Sequence, residues 1–135
     1  MAFDHSSEGA PMIIPRLLKR LRKSDQVKAL VAPSAIHGRF LPPHAATPAL
    51  SLLYVGDDPV NDLGGEDNSR RERAQIDAWA PTLKQADQLA KAAMAALASR
   101  GQDFTAVRNG KTYEYDDAAQ LHRLRLDYSF IYYED

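Results

Sequence analysis

The sequence predicts an α+β fold: an antiparallel sheet with two main helices packed on one face and a long-looped hairpin. Three observations carry this expectation. Residues 13–23 and 82–100 place apolar side chains at helical spacing. Residues 49–55, 69–80 and 121–133 are either apolar nearly throughout or alternate apolar with polar residues at strand spacing. The elements follow one another as helix, short strand, hairpin, helix, strands, with no internal repeat and no low-complexity segment.

Residues 1–12 are small and polar, with Gly9 and Pro11, and read as a flexible tail ahead of one domain, 13–135. In the first helix Ile14, Leu17, Leu18 and Leu21 form one apolar stripe. Pro15 is tolerated only in the first turn, so the helix starts near residue 13 and runs to about Lys23. Ser24-Asp25 is a cap signal, and Val27, Leu30 and Val31 make a second short amphipathic stretch that ends before Pro33. Pro33, Pro42, Pro43 and Pro48 leave room for only a short extended piece, Ala35 to Phe40.

Ala49 to Val55 is a buried strand, Gly56 to Asn68 a loop, and Ser69 to Ala80 the returning strand. In that second strand Ala74, Ile76 and Ala78 alternate with Arg73, Gln75, Asp77 and Trp79. Thr82 and Gln85 form a capping box for the second helix, each side chain satisfying the other's backbone N–H. Leu83, Ala86, Ala90, Ala93, Met94 and Leu97 share its inner face, and Gly101 is placed to end it. Phe104 to Val107 and Thr112 to Tyr115 flank Asn109-Gly110, a strong hairpin signal. After a break at Asp116 to Ala119, Leu121 to Tyr133 is a long final strand, with Leu124, Leu126, Tyr128, Phe130 and Tyr132 on one face.

Composition narrows the function classes. A chain of 135 residues fits one domain. Apolar residues at 44% and charged residues at 26% are in the globular range. The chain has no Cys, which excludes a disulfide scaffold, a thiolate metal site and a Cys nucleophile. Apolar runs stay far short of the ~20 residues that a membrane span needs, and the first residues lack the pattern of a secretory signal. The 17 Lys+Arg nearly balance 18 Asp+Glu. Near-zero net charge gives little steering toward nucleic acid and little colloidal repulsion, which suits a component of an assembly.

Candidate chemistry is sparse. His5, His37, His44 and His122 are not at ligand spacing, so no metal site and no cofactor are expected. No G-x-S-x-G, P-loop or G-x-G-x-x-G is present, so no catalytic residues are assigned and the chain is not expected to be an enzyme. Asp77 and Asp127, near Arg73, Arg123 and Arg125 across strands, fit ion pairs better than an acid–base couple. The first helix carries Arg16, Lys19, Arg20, Arg22 and Lys23 without an acid, either a solvated face or a basic binding helix. Trp79, at a strand end before Pro81, fits a plug at the corner between sheet and helix. The acids Asp57, Asp58, Asp62, Glu66 and Asp67 do not match a calcium loop. They fit a solvated hairpin tip or a partner contact, with Arg70 and Arg71 alongside to neutralise part of the charge.

Ala74-Gln75-Ile76-Asp77-Ala78-Trp79-Ala80, then Thr82, then the Ala-rich helix with Ala86, Leu89, Ala90 and Leu97, resembles the tail-completion proteins of long-tailed phages. The closing strand Leu124 to Tyr132 and the opening order of helix, short helix through Leu30-Val31, extended segment and Pro42 resemble them too. The resemblance spans about residues 13 to 134 and departs at the tail and the acidic loop. It implies a virion protein of the phage neck or tail, assembled in the host cytoplasm. Such a protein caps the tail tube as a homo-hexameric ring and joins it to the head connector. DNA passes through the ring without sequence-specific binding, and no membrane is involved. Its partners are the tail tube protein and the head completion protein, with Asp57, Asp58, Asp62, Glu66, Asp67, Arg70 and Arg71 as the expected interface. The rival reading is a small nucleic-acid- or protein-binding regulator that uses basic helix 13–23.

Overall fold

The computed structural model describes residues 13–57, 69–99, 101 and 103–133. The expected tail, 1–12, and most of the acidic loop lie outside them. Helix α1, Ile13–Lys23, buries Ile13, Ile14, Leu17 and Leu21 along the expected stripe. The buried carboxylate of Glu72 accepts the Ile13 N–H at 3.3 Å, so the sheet satisfies a first-turn donor of the helix. Ser24 Oγ accepts the Val27 N–H and starts the short helix α2, Asp25–Lys28. Val27 and Val31 are buried, but Leu30 is exposed, because one turn does not carry the stripe that far.

A 3-10 turn, Pro33–Ala35, leads into β1, Ile36–His37. The expected extended piece is thus two residues long. It pairs parallel with β2, Ala49–Asp57, at Ile36↔Leu50 and His37↔Ser51, so the sheet is mostly rather than wholly antiparallel. β2 and β3, Ser69–Ala80, form the expected hairpin pairing, in register from Ala49↔Trp79 to Tyr54↔Ala74. A bulge at Val55 then lets β2 run on to Asp57. It uses Gly56 at φ 149°, a conformation that side-chain-bearing residues rarely adopt.

Helix α3, Leu83–Ala98, starts with half of the expected box: the Gln85 N–H reaches Thr82 Oγ1 at 3.1 Å. The Gln85 side chain does not return to the Thr82 N–H; its Oε1 accepts from the Thr82 hydroxyl instead. Leu83 is exposed and Leu89 takes its place on the inner face, beside Ala86, Ala90, Ala93 and Leu97. Gly101 is not in the left-handed region, so it does not end the helix as expected. The chain leaves through an extended Ser99, whose hydroxyl donates to Ala96 O at 2.6 Å.

The largest departure is at Asn109-Gly110. β4, Thr105–Asp116, is one strand, and Asn109 is the extra residue of a bulge between Arg108 and Gly110. Asn109 Nδ2 donates to Ser129 Oγ at 2.9 Å. The turn to β5, Leu121–Tyr133, falls at Asp116 to Gln120. There the Asp116 carboxylate accepts the Ala119 N–H, its carbonyl accepts the Gln120 N–H at 2.7 Å, and Gln120 sits at φ 57°.

The strand order is β1-β2-β3-β5-β4. One face, with Leu50, Leu52, Ile76, Leu126, Phe130 and Tyr132, meets α1 and α3 in a single core. Each such side chain, fully buried, contributes ~1.5–3 kcal/mol. The alanines of α3 allow the helix to lie close to the sheet: five of its seven buried residues are Ala, the others being Leu89 and Leu97, and Ala74, Ala78 and Ala80 face the same core from β3.

Candidate assembly interface

The described members of the predicted interface, Asp57, Arg70 and Arg71, fall at one end of the sheet. Asp57 closes β2 and pairs in register with Glu72, so Arg70 and Arg71 lie one turn of pleat further along β3. Asp57 is exposed and accepts from the Tyr54 hydroxyl at 3.0 Å. Burial, this hydrogen bond and the nearby Glu72 and Asp57 charges push the Tyr54 phenol up to about 12. Arg70 is exposed and Arg71 half-buried. The structure therefore brings Asp57, Arg70 and Arg71 to a common end, while Asp58, Asp62, Glu66 and Asp67 lie outside the described residues.

The basic helix is organised differently from a binding helix. Arg16 donates to Asp103 O at 2.7 Å and Tyr133 O at 3.3 Å, with its guanidinium over the Tyr132 ring. Arg20 pairs with the Asp103 carboxylate, donates to Leu97 O and Ser99 O at the end of α3, and stacks on Phe104 at 3.7 Å. Arg22 reaches Pro33 O and Ile36 O. Three of the five basic side chains thus hold the chain's own carbonyls, at sequence separations that a single sequence does not reveal. Lys19 and Lys23 remain exposed beside a shallow cleft of about 670 Å³. Asp103 feels two opposed effects: burial pushes its carboxyl up, but the Arg20 hydrogen bond and charge hold it below the ordinary value.

On the other face of the sheet, Phe40 to Thr47 lies over Ser51 and Leu53 of β2 and Asp77 and Trp79 of β3 as a partial second layer. Trp79 lies beneath it, not at the corner between sheet and helix. It is on the strand face opposite Ala78, and its Nε1 donates to Ser51 Oγ at 2.9 Å. Asp77 and Arg125, register partners on β3 and β5, form a two-pronged ion pair at 2.9 and 3.2 Å, as the cross-strand reading expects. That hydrogen bond raises the Arg125 pKa further above its already high value. Arg123 pairs with Glu114 and lies over Trp79. A cleft of about 610 Å³ remains between Phe40 to Thr47 and the β4–β5 turn. The prolines of this region left room in the sequence only for a short extended piece, Ala35 to Phe40, and nothing there points to a layer.

Among the described residues no group of three or more His, Asp or Glu is placed to hold a metal ion. No described helix is long and apolar enough to cross a membrane.

Comparison with known proteins finds a family and a likeness to solved structures. The profile of the family "Tail completion protein gp17" matches residues 15–133. No curated protein matches the sequence. Among solved structures, a chain of the virion of a native gene transfer agent particle superposes with a TM-score of 0.66. It is 19% identical, and the match covers 87% of this chain and 92% of that one, a likeness of fold. With the family profile covering nearly all of the described fold, the chain belongs to the tail completion protein gp17 family, structural proteins of the phage tail that reside in the virion.

Proposed function

We propose that this protein caps the finished tail tube as a homo-hexameric ring and offers a docking face to the head connector. The observation that carries the reading is the family match over residues 15–133. The ring binds the last ring of tube protein, blocks further addition and meets the head completion protein on its other side. A single domain of this size has too little surface to encircle DNA, so the task needs a ring. DNA passes through it without sequence-specific contact. The use of Arg16, Arg20 and Arg22 to bind the chain's own carbonyls supports this over a nucleic-acid-binding regulator, which needs those donors for phosphate. The role is one of shape and surface complementarity and involves no catalysis. The end of the sheet bearing Asp57, Arg70 and Arg71, with Asp58, Asp62, Glu66 and Asp67, is the contact with a neighbouring subunit or the tube.

Deleting the gene from the phage tests this directly. Electron micrographs are expected to show filled heads and separate tails, the tails irregular or overlong. Normally joined particles of wild-type tail length would refute the role.

A further inference from the structure

The sheet has two open borders. β4 forms one, and along Thr105–Asp116 its outer edge has no described strand partner. At the other, β1 covers only Leu50 and Ser51, so β2 from Leu52 to Asp57 has no described strand partner on that side. In an antiparallel ladder every second residue turns its N–H and C=O outward, and a bare edge is a template for another strand. Apolar side chains are exposed at both borders: Val107, Tyr113 and Tyr115 on β4, at 48%, 49% and 41%, and Val55 on β2 at 46%.

Strand polarity decides how copies could join. β2 runs antiparallel to β3, β3 to β5 and β5 to β4, so β2 and β4 point in opposite directions. A second copy that extends the sheet by rotation therefore sets its β2 antiparallel to the first copy's β4. Each copy uses both borders once. The contact is head-to-tail, the type that closes into rings, whereas β4 against β4 makes a twofold dimer and stops. Charge favours the head-to-tail choice. The registers Tyr54↔Ala74, Ala74↔Tyr128 and Arg108↔Tyr128 put Tyr54 and Arg108 at one height, with Asp57 three residues along on the same side of the sheet. Arg108 reaches Met94 Sδ at 3.3 Å and pairs with no described carboxylate. Pairing β4 with its own copy would instead bring Arg108 and Lys111 toward like charges.

We infer that β4 of one copy pairs antiparallel with Leu52–Asp57 of β2 in the next, so that one sheet continues from subunit to subunit. This rests on the ring reading and adds which edges make the joint, with Arg108 facing the acidic end of the neighbour's β2.

The absence of Cys makes a cross-linking test clean. Val107→Cys, Thr112→Cys or Glu114→Cys on β4 is combined with Leu53→Cys or Val55→Cys on β2, all on one face by strand alternation. Cβ atoms of directly opposed residues lie ~4.5–5.5 Å apart, close to what a disulfide spans. The purified full-length chains, with melting checked against the parent, are oxidised and run on a non-reducing gel. At least one combination is expected to give a ladder beyond the dimer, ending at the copy number that native mass spectrometry finds. Single-Cys parents are expected to give dimers at most. Rings in the mass spectrum with no ladder from any combination would overturn the edge pairing and leave the ring standing. Strong dimers from the β4 single variants with no ladder from the pairs would overturn it in favour of a twofold contact. A chain that stays monomeric at every concentration would overturn both readings.

Discussion

Arg20 is the side chain on which most tertiary connections converge. It joins the last carbonyls of α3 to the Asp103 carboxylate and the Phe104 ring, and only 11% of its side chain is exposed. Gly101 belongs to the same arrangement. A Cβ there would lie 2.6 Å from Asp103 Oδ1 and 2.7 Å from Arg20 Nη2, so the position is kept small for room and not for its φ. Replacing Arg20→Met strips two carbonyls and a carboxylate of their donor and is expected to cost about 2 kcal/mol in denaturant unfolding. Asp103→Asn is expected to cost roughly 1 kcal/mol, less than a fully buried pair, because Asp103 is 35% exposed. The pH dependence follows from the lowered Asp103 value. A carboxyl that is more acidic folded than unfolded contributes fully above its unfolded pKa of about 3.9. That contribution is lost as pH falls through the lower folded value. Thermal melts from pH 7 down to about 2 are therefore expected to decline less steeply for Asp103→Asn than for the parent.

At the scale of elements, β4 shows where local signals and tertiary context part. Asn-Gly between apolar residues is the usual mark of a two-residue turn. Here the 13-residue β5 offers a partner along the whole of β4, and the extra residue is absorbed as a bulge held by Asn109 and Ser129. Strands β3 and β5 were legible because one face of each is buried, which imposes alternation on their sequences, and β2 because its first half is buried on both faces, which gives an apolar run. The β3 residues that carry Arg70 and Arg71 were legible for the same reason. Glu72 as a cap for α1, the inward arginines and the layer over Trp79 were not. Each depends on a partner far along the chain, and nothing in the neighbouring residues marks it. Deleting Asn109 is expected to test the bulge. Without it Arg108 and Gly110 become neighbours opposite Tyr128 and Asp127, so the ladder runs on regularly, both segments keep their faces, and the Asn109–Ser129 hydrogen bond is lost. The expected result is a loss of about 1 kcal/mol in stability, read by denaturant unfolding and similar to that of Asn109→Ala, which removes the same hydrogen bond and keeps the bulge.

For the whole molecule, the acids at the end of β2 can be separated from folding. Changing Asp57, Asp58, Asp62 and Asp67 to Asn and Glu66 to Gln leaves an acceptor for the Tyr54 hydroxyl and removes no described core contact. The melting temperature is expected to stay within a few degrees of the parent, about what surface substitutions allow. Head–tail joining and infectivity are expected to fall. Plaque yield equal to the parent's would show that these acids are solvated and contact nothing. The position of β5 bears on when a subunit becomes available. This strand comes last among the elements in sequence yet sits between β3 and β4 in the sheet, and Arg16 binds Tyr133 O across 117 residues. A nascent chain on the ribosome therefore has helices and a hairpin but no continuous sheet until residue 133 has emerged. Fragments cut short in translation lack the strand that β3 and β4 both need, so they enter no assembly as a defective part. Synthesis itself acts as the quality check, admitting a copy only after β5 has been made.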